Sequence, residues 1–169
     1  LGETNDEGEE LVLISDNGNI IINEGLVFDF GSSQLKAEGK ELLVQLAQAF
    51  ERVLDDETIR ANIDAINIQG HTDNVGSAES NRELSADRSR AVVDYLMSSN
   101  SDLENKFGRY FVASAYSEFR PLSTGTSESD LAKNRRIEIS IILKDSHVQN
   151  VIDDYLKESL DALGIQEDN

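Results

Sequence analysis

Three side chains close together in this chain carry the groups needed to hold a small zwitterion. Asp73 follows Gly70-His71-Thr72 and precedes Asn74, while Asn81 and Arg88 stand further on, with Leu84-Ser85 between them. Asp73 is expected just past a strand and ahead of a helix. A carboxylate there can accept backbone N–H bonds from the helix start, which favours its charged form. Asn81 and Arg88 are seven residues apart, so on a helix they project from nearly the same face. A planar guanidinium can donate two parallel bonds to a carboxylate. Arg88 would therefore take a ligand's carboxylate and Asp73 its ammonium. Each charge-assisted bond contributes about 1.5–3 kcal/mol, so two or three of them describe a reversible binding site. Spacing alone leaves a second reading open, in which Asp73 caps the helix and Arg88 simply pairs with it.

The same residues offer little to catalysis. The histidines are His71 and His147, and no Gly-x-Ser-x-Gly elbow is present. His71 lies two residues from Asp73, but neighbouring strand positions point to opposite faces and no orienting group is evident. No enzyme is expected. The absence of cysteine removes disulfides, thiolate chemistry and Cys-based zinc sites. The carboxylates are scattered rather than spaced as ligands. In the acidic turn Asp16-Asn17-Gly18-Asn19, glycine is misplaced for a calcium loop and no Glu closes it. The expected metal and cofactor content is none.

Composition narrows the partners. With 15 basic against 33 acidic residues in 169, the net charge is −18, and such a surface repels phosphate backbones and anionic headgroups. No nucleic acid is expected as a partner. No apolar run approaches the roughly 18 residues of a membrane span. The first residue is Leu1 rather than Met, which suggests a processed product or a piece of a longer protein whose upstream membrane segment is missing.

The elements that must position Asp73 and Arg88 follow from the hydrophobic pattern. Residues 1–10 are acidic and read as a disordered linker end. Leu11–Ile14 and Ile20–Ile22 flank an Asn-Gly turn and predict a hairpin. Leu26–Phe30 predicts a further strand, stopped at Gly31-Ser32-Ser33. Leu43, Leu46, Ala47, Phe50, Val53 and Leu54 recur at helical spacing. Ile63, Ile66 and Ile68 lead as a strand into Gly70, where the chain is expected to turn. Ser80-Asn81-Arg82-Glu83 has the form of a capping box opening the helix that carries Arg88, which ends in the polar run from Asn100 to Lys106. Tyr110–Ala115 is β-prone, 117–129 reads as a loop, and Arg136–Leu143 predicts a central strand. A second capping box at Ser146 opens an amphipathic helix over 145–164, followed by a tail over 165–169. The expected class is α+β, a β-α-β-α-β-(α)-β sandwich. It has a mixed sheet, helices packed on one face, an N-terminal hairpin and an extra C-terminal helix around a domain at 11–144.

INIQGHTDNVG (Ile66–Gly76), Asn81, Leu84-Ser85 and Arg88, with Lys133-Asn134-Arg135-Arg136-Ile137-Glu138-Ile139 downstream, resemble the OmpA C-terminal-like peptidoglycan-binding family. That family covers OmpA-type proteins, Pal lipoproteins and the periplasmic domain of MotB stator subunits. Phe28–Ser33 and Tyr116–Pro121 match its weaker blocks. The resemblance implies non-covalent binding of the peptide stem of peptidoglycan, with Asp73 and Arg88 on the zwitterionic end of meso-diaminopimelate. Asn81 and Arg135 map onto further family positions, and Thr72, Asn74 and the Phe30–Gly31 turn would line or shape the pocket. It further implies a periplasmic domain of a bacterial membrane-anchored protein that attaches its host to the cell wall. The Ser117–Leu122 and Asn134–Ile139 blocks lean towards the MotB-like stator branch. That branch brings a membrane-embedded stator partner through the missing upstream segment, and allows a homodimer. A ZorB-like stator subunit of an anti-phage system and an OmpA- or Pal-type outer-membrane anchor are the alternatives. Two positions depart from the family pattern. Ser89 stands where Ala is usual, which leaves a shifted register with Arg90 to be weighed, and Ala115 replaces a usual Gly.

Overall fold

A computed structural model describes residues 11–144. The expected linker at 1–10 and the C-terminal helix and tail lie outside the described residues. The hairpin forms as expected: β1 (Val12–Ile14) pairs antiparallel with β2 (Ile20–Asn23). Gly18 takes φ +82° in the connecting turn, a conformation that favours glycine.

Next comes α1 (Glu24–Val27), a single helical turn capped by Asn23, whose side chain accepts from the Gly25 N–H. The strand expected over Leu26–Phe30 is therefore not there. Leu26, Val27 and Phe28 are buried because they reach the core from a helical turn and its exit, while Phe30 is exposed. One bridge, Phe28 to Leu35, is all that remains of strand pairing. The long helix α2 (Ala37–Asp55) buries Leu43, Leu46, Ala47, Phe50 and Leu54. Gly39 lets it lie against α1, since a Cβ there would stand 2.8 Å from the Val27 Cα.

A short α3 (Glu57–Arg60) leads into β3 (Ile63–His71), and α4 (Ala78–Ser99) follows. The start of α4 lies upstream of the expected capping box. Ser77 is its N-cap and accepts from the Ser80 N–H. The polar run after Asn100 is itself helical, as α5 (Ser101–Phe107), because the Asn100 side chain caps a new first turn. Then come β4 (Phe111–Ser117), α6 (Glu128–Asn134) and β5 (Arg136–Leu143). A capping box between Ser127 and Asp130 starts α6, which shortens the expected loop.

The five strands form one mixed sheet in the order β1-β2-β5-β3-β4. β5 is central as expected, antiparallel to both neighbours, while β3 and β4 run parallel. Alternation splits the sheet into two unlike faces. Ile22, Ile66, Ile68, Ile137 and Ile139 point into the core with α2 and α4. On the other face, Ser114 donates to Asn67 at 2.5 Å and Gln69 donates to Ser140 at 2.8 Å.

Gly70 does not mark a turn, because β3 continues through His71. Its role is to bring helix and sheet together. A Cβ on Gly70 would run into the backbone carbonyl of Ser85 on α4. The facing positions on the helix, Ser85 and Ser89, are small and fully buried. Their hydroxyls donate back to the Arg82 and Ala86 carbonyls, so burial leaves no polar atom wanting. This close contact sets how deeply Arg88 is carried into the domain. Gly70→Ala should force α4 away and lower stability by about 2–3 kcal/mol, read as a lower urea midpoint at unchanged slope. An unshifted midpoint would show that the contact is soft.

Candidate functional site

The residues singled out in the sequence converge at one end of the sheet, but not as a simple pair. Asp73 sits in the β3–α4 connection. Its Oδ1 accepts from the Val75 N–H at 3.0 Å, within the connection and not at the helix start. Its Oδ2 accepts from Arg135 Nη1 at 2.7 Å. Arg135 lies at the junction of α6 and β5, and its Nε stands 3.5 Å from Glu24 Oε1. The other Glu24 oxygen, Oε2, is paired with Arg88 Nη1. The result is a chain of alternating charge, Arg88–Glu24–Arg135–Asp73, drawn from α4, α1, the α6–β5 junction and the β3–α4 connection. Asp73 and Arg88 stand at its two ends and are not paired with each other. Arg90 belongs to no part of it; it is exposed and near Asp87.

Burial makes this network weighty. Arg88 is only 2% exposed, Glu24 7% and Asp73 8%. Arg88 Nε donates to the Ser32 carbonyl at 2.8 Å, and its guanidinium lies 5.2 Å from the Phe28 ring centroid. Two buried atoms of the cluster have no hydrogen-bond partner, Arg88 Nη2 and Thr72 Oγ1. A buried donor left unmade is costly and calls for an explanation. Burial alone would disfavour the charge of Arg135, but Asp73, Glu128 and Glu24 outweigh it and hold the guanidinium more firmly protonated than usual. Glu128 pairs with Arg135 from the exposed side.

The backbone around Asp73 is fixed by its neighbours. The parallel β3–β4 register slips between Gly70 and His71, so His71 aligns with Ser117. Ser117 is buried with φ +54°, a sparsely populated conformation for a residue with a side chain. Its carbonyl accepts from the Thr72 N–H at 2.9 Å, and its own N–H donates to Ser85 Oγ at 3.2 Å. Asn81 donates to the Asp73 carbonyl at 3.2 Å and to Glu118 at 2.6 Å. Thus Asn81 grips the backbone of the loop that carries Asp73 and ties it to the loop after β4.

His71 lies on the polar face of the sheet, stacked on Tyr116 with 5.1 Å between ring centroids. Burial and the Arg136 charge push its pKa down to about 4, against the opposing pull of Glu138. It is neutral at pH 7. Of the remaining expected residues, Asn74 is exposed beside Asp73, Phe30 is 87% exposed, and Gly31 takes φ +67° in the loop that offers its Ser32 carbonyl to Arg88. Glu24, Glu118, Ser32 and Ser117 were not expected at the site. Asn23 before Glu24 is a recognisable cap, yet nothing local links Glu24 to an arginine 64 residues away.

The described residues thus form an open mixed sheet with α2 and α4 packed on one face and a buried chain of alternating charges at one end. The chain belongs to the OmpA family, which it matches over residues 27–135. It is 33% identical over 123 residues to outer membrane protein A of Bordetella avium, covering 73% of this chain and 57% of that protein. It is 31% identical over 112 residues to the peptidoglycan-associated lipoprotein of Pseudomonas putida, covering 66% of this chain and 59% of that one. The chain thus spans rather over half the length of these curated relatives. Its fold is that of the periplasmic domain of Helicobacter pylori MotB, with a TM-score of 0.64 at 18% identity, covering 87% of this chain and 90% of that one.

Glu24 neutralises two guanidiniums at once, so its loss leaves Arg88 as an uncompensated buried cation. Glu24→Ala should cost about 3–5 kcal/mol of folding stability, measured by chemical denaturation. A loss under about 1 kcal/mol, the range of an exposed pair, would show that the network is solvated.

Proposed function

We propose that this domain binds the peptide stem of peptidoglycan without chemistry upon it, and so anchors a larger envelope protein to the cell wall. In this reading meso-diaminopimelate is the recognised residue. Its carboxylate goes to Arg88 and its ammonium to Asp73, with Arg135 steadying Asp73 and Asn81 holding the loop beneath it. Thr72, Asn74, Phe30 and Gly31 complete the rim. The observation that carries the reading is the ionic chain itself. Its two ends are a carboxylate and a guanidinium of opposite charge, and the guanidinium retains a buried N–H without a partner. A zwitterionic amino acid is the smallest ligand that complements both ends. Family membership and the likeness to a peptidoglycan-associated lipoprotein support the same assignment.

The larger protein is read as a periplasmic, membrane-anchored stator subunit of the MotB type. Support comes from the blocks Ser117–Leu122 and Asn134–Ile139 and from the fold shared with MotB. No helix among the described residues is long and apolar enough to cross a membrane; in this reading the membrane anchor and the contact with a stator partner lie in an upstream segment, and a homodimer is allowed. A defence-system stator of the ZorB type or an OmpA- or Pal-type anchor would use the same site. The sequence upstream of Leu1 separates them. A membrane helix with an acidic residue inside it fits a stator; a lipidated cysteine or a β-barrel fits a passive anchor.

The binding reading is tested by sedimentation with purified sacculi. Wild-type protein should pellet with them and release no soluble fragments. Asp73→Asn and Arg88→Lys should stay in the supernatant while keeping wild-type circular dichroism, each losing roughly tenfold or more in affinity per charge-assisted bond removed. Co-sedimentation of both folded variants at the wild-type level would refute the assignment.

A further inference from the structure

Glu24 holds the groups that the ligand needs. Its Oε2 is paired with Arg88, and its Oε1 faces Arg135 at 3.5 Å. Asp73 is likewise engaged, by Arg135 and by the Val75 N–H. Within the buried network two carboxylates, Glu24 and Asp73, balance two guanidiniums, Arg88 and Arg135. With the exposed Glu128 also on Arg135, the network offers an incoming carboxylate no surplus positive charge. Arg88 is also only 2% exposed, so a ligand reaches its guanidinium only when a group around it moves.

We infer that Glu24 is an internal competitor: its carboxylate stands in for the ligand's own on Arg88, and binding requires the ligand to displace it. This rests on the reading of Arg88 and Asp73 as the wall-peptide clamp, and adds a closed state to that site. The backbone favours a latch that swings at the side chain alone. The Glu24 N–H donates to the Arg135 carbonyl at 3.1 Å, and its carbonyl accepts from the Phe28 N–H at 2.8 Å. The turn it starts is pressed against α2 at Gly39. Main-chain movement there would break these contacts, whereas rotation of the Glu24 side chain leaves them in place and gives up its ion pairs with Arg88 and Arg135. The exchange is close to balanced, one carboxylate for another on the same guanidinium. The free Arg88 Nη2 gives the ligand a second donor that Glu24 leaves unused. A site closed in most molecules binds more weakly by the fraction that is open.

The test is calorimetric titration with meso-diaminopimelate on the whole chain, using wild type, Glu24→Gln and Arg88→Lys. Glu24→Gln keeps the shape and one hydrogen bond but gives up the charge that holds Arg88. It should bind more tightly than wild type by roughly tenfold or more, because a Glu24 that leaves Arg88 before the ligand arrives strands a buried cation and few wild-type molecules are open. The ligand carries both signs of charge, so a general change in site potential largely cancels and tightening reports release of Arg88. A second readout needs no variant at Glu24. In wild-type protein labelled with carbon-13, the Glu24 carboxylate resonance should move as diaminopimelate saturates the site. Binding by Glu24→Gln but not by wild type would support the latch in its strongest form. Wild-type binding that Glu24→Gln does not improve, or a Glu24 resonance unmoved at saturation, overturns the latch while leaving the clamp intact. Equal binding by wild type and a folded Arg88→Lys, or no binding by any form, overturns the clamp and the latch together.

Discussion

One buried carboxylate, Glu24, lies between two arginines that come from distant parts of the chain, and the geometry of the site depends on it. Without it Arg135 at the α6–β5 junction would keep Asp73, but Arg88 on α4 would be a buried cation with no carboxylate beside it. Taking charges out of water costs several kcal/mol per ion unless they are paired and hydrogen-bonded. The protein meets that cost by alternating the signs and by adding backbone partners, the Ser32 carbonyl for Arg88 and the Val75 N–H for Asp73. The arrangement is stable as a set and sensitive to the loss of any member.

The fold supplies the positions. Gly70 allows α4 to approach β3 closely, and Ser85 and Ser89 keep the facing side of the helix thin. The slip in the β3–β4 register and the left-handed Ser117 turn the strand ends so that Thr72 and Asp73 leave the sheet in a fixed direction. Irregular backbone of this kind is retained where the surroundings over-determine it, and it gathers at binding sites. The polar face of the sheet serves a different end. His71, neutral at pH 7, is stacked on Tyr116 and bonded to Gln69 at 3.1 Å there, outside the ionic chain.

Much of this was legible before any coordinates. Period-two isoleucines marked β3 and β5, the Asn-Gly turn marked the hairpin, and the apolar stripe marked α2, because each is a local pattern with a physical cause. The failures have causes too. Leu26–Phe30 looks like a strand because burial requires apolar residues in either state, and Asn23 as a helix cap is the local signal that separates the two. The start of α4 was displaced because two serines three residues apart can each cap, and Ser77 is the one that does. At the site, Asp73, Asn81, Arg88 and Arg135 could be named from motif and spacing. Their connection could not. Glu24 pairs across 64 residues of sequence, and long-range ion pairs leave no periodic trace.

The chain is a member of the OmpA family, and the function proposed for it is wall attachment through an amino-acid zwitterion. The decisive measurement is a crystal structure of the domain grown with meso-diaminopimelate. The account predicts the ligand's carboxylate on the Arg88 guanidinium and its ammonium within hydrogen-bond reach of Asp73. Ligand density at any other surface, with the Arg88 and Asp73 ion pairs unchanged, would contradict it.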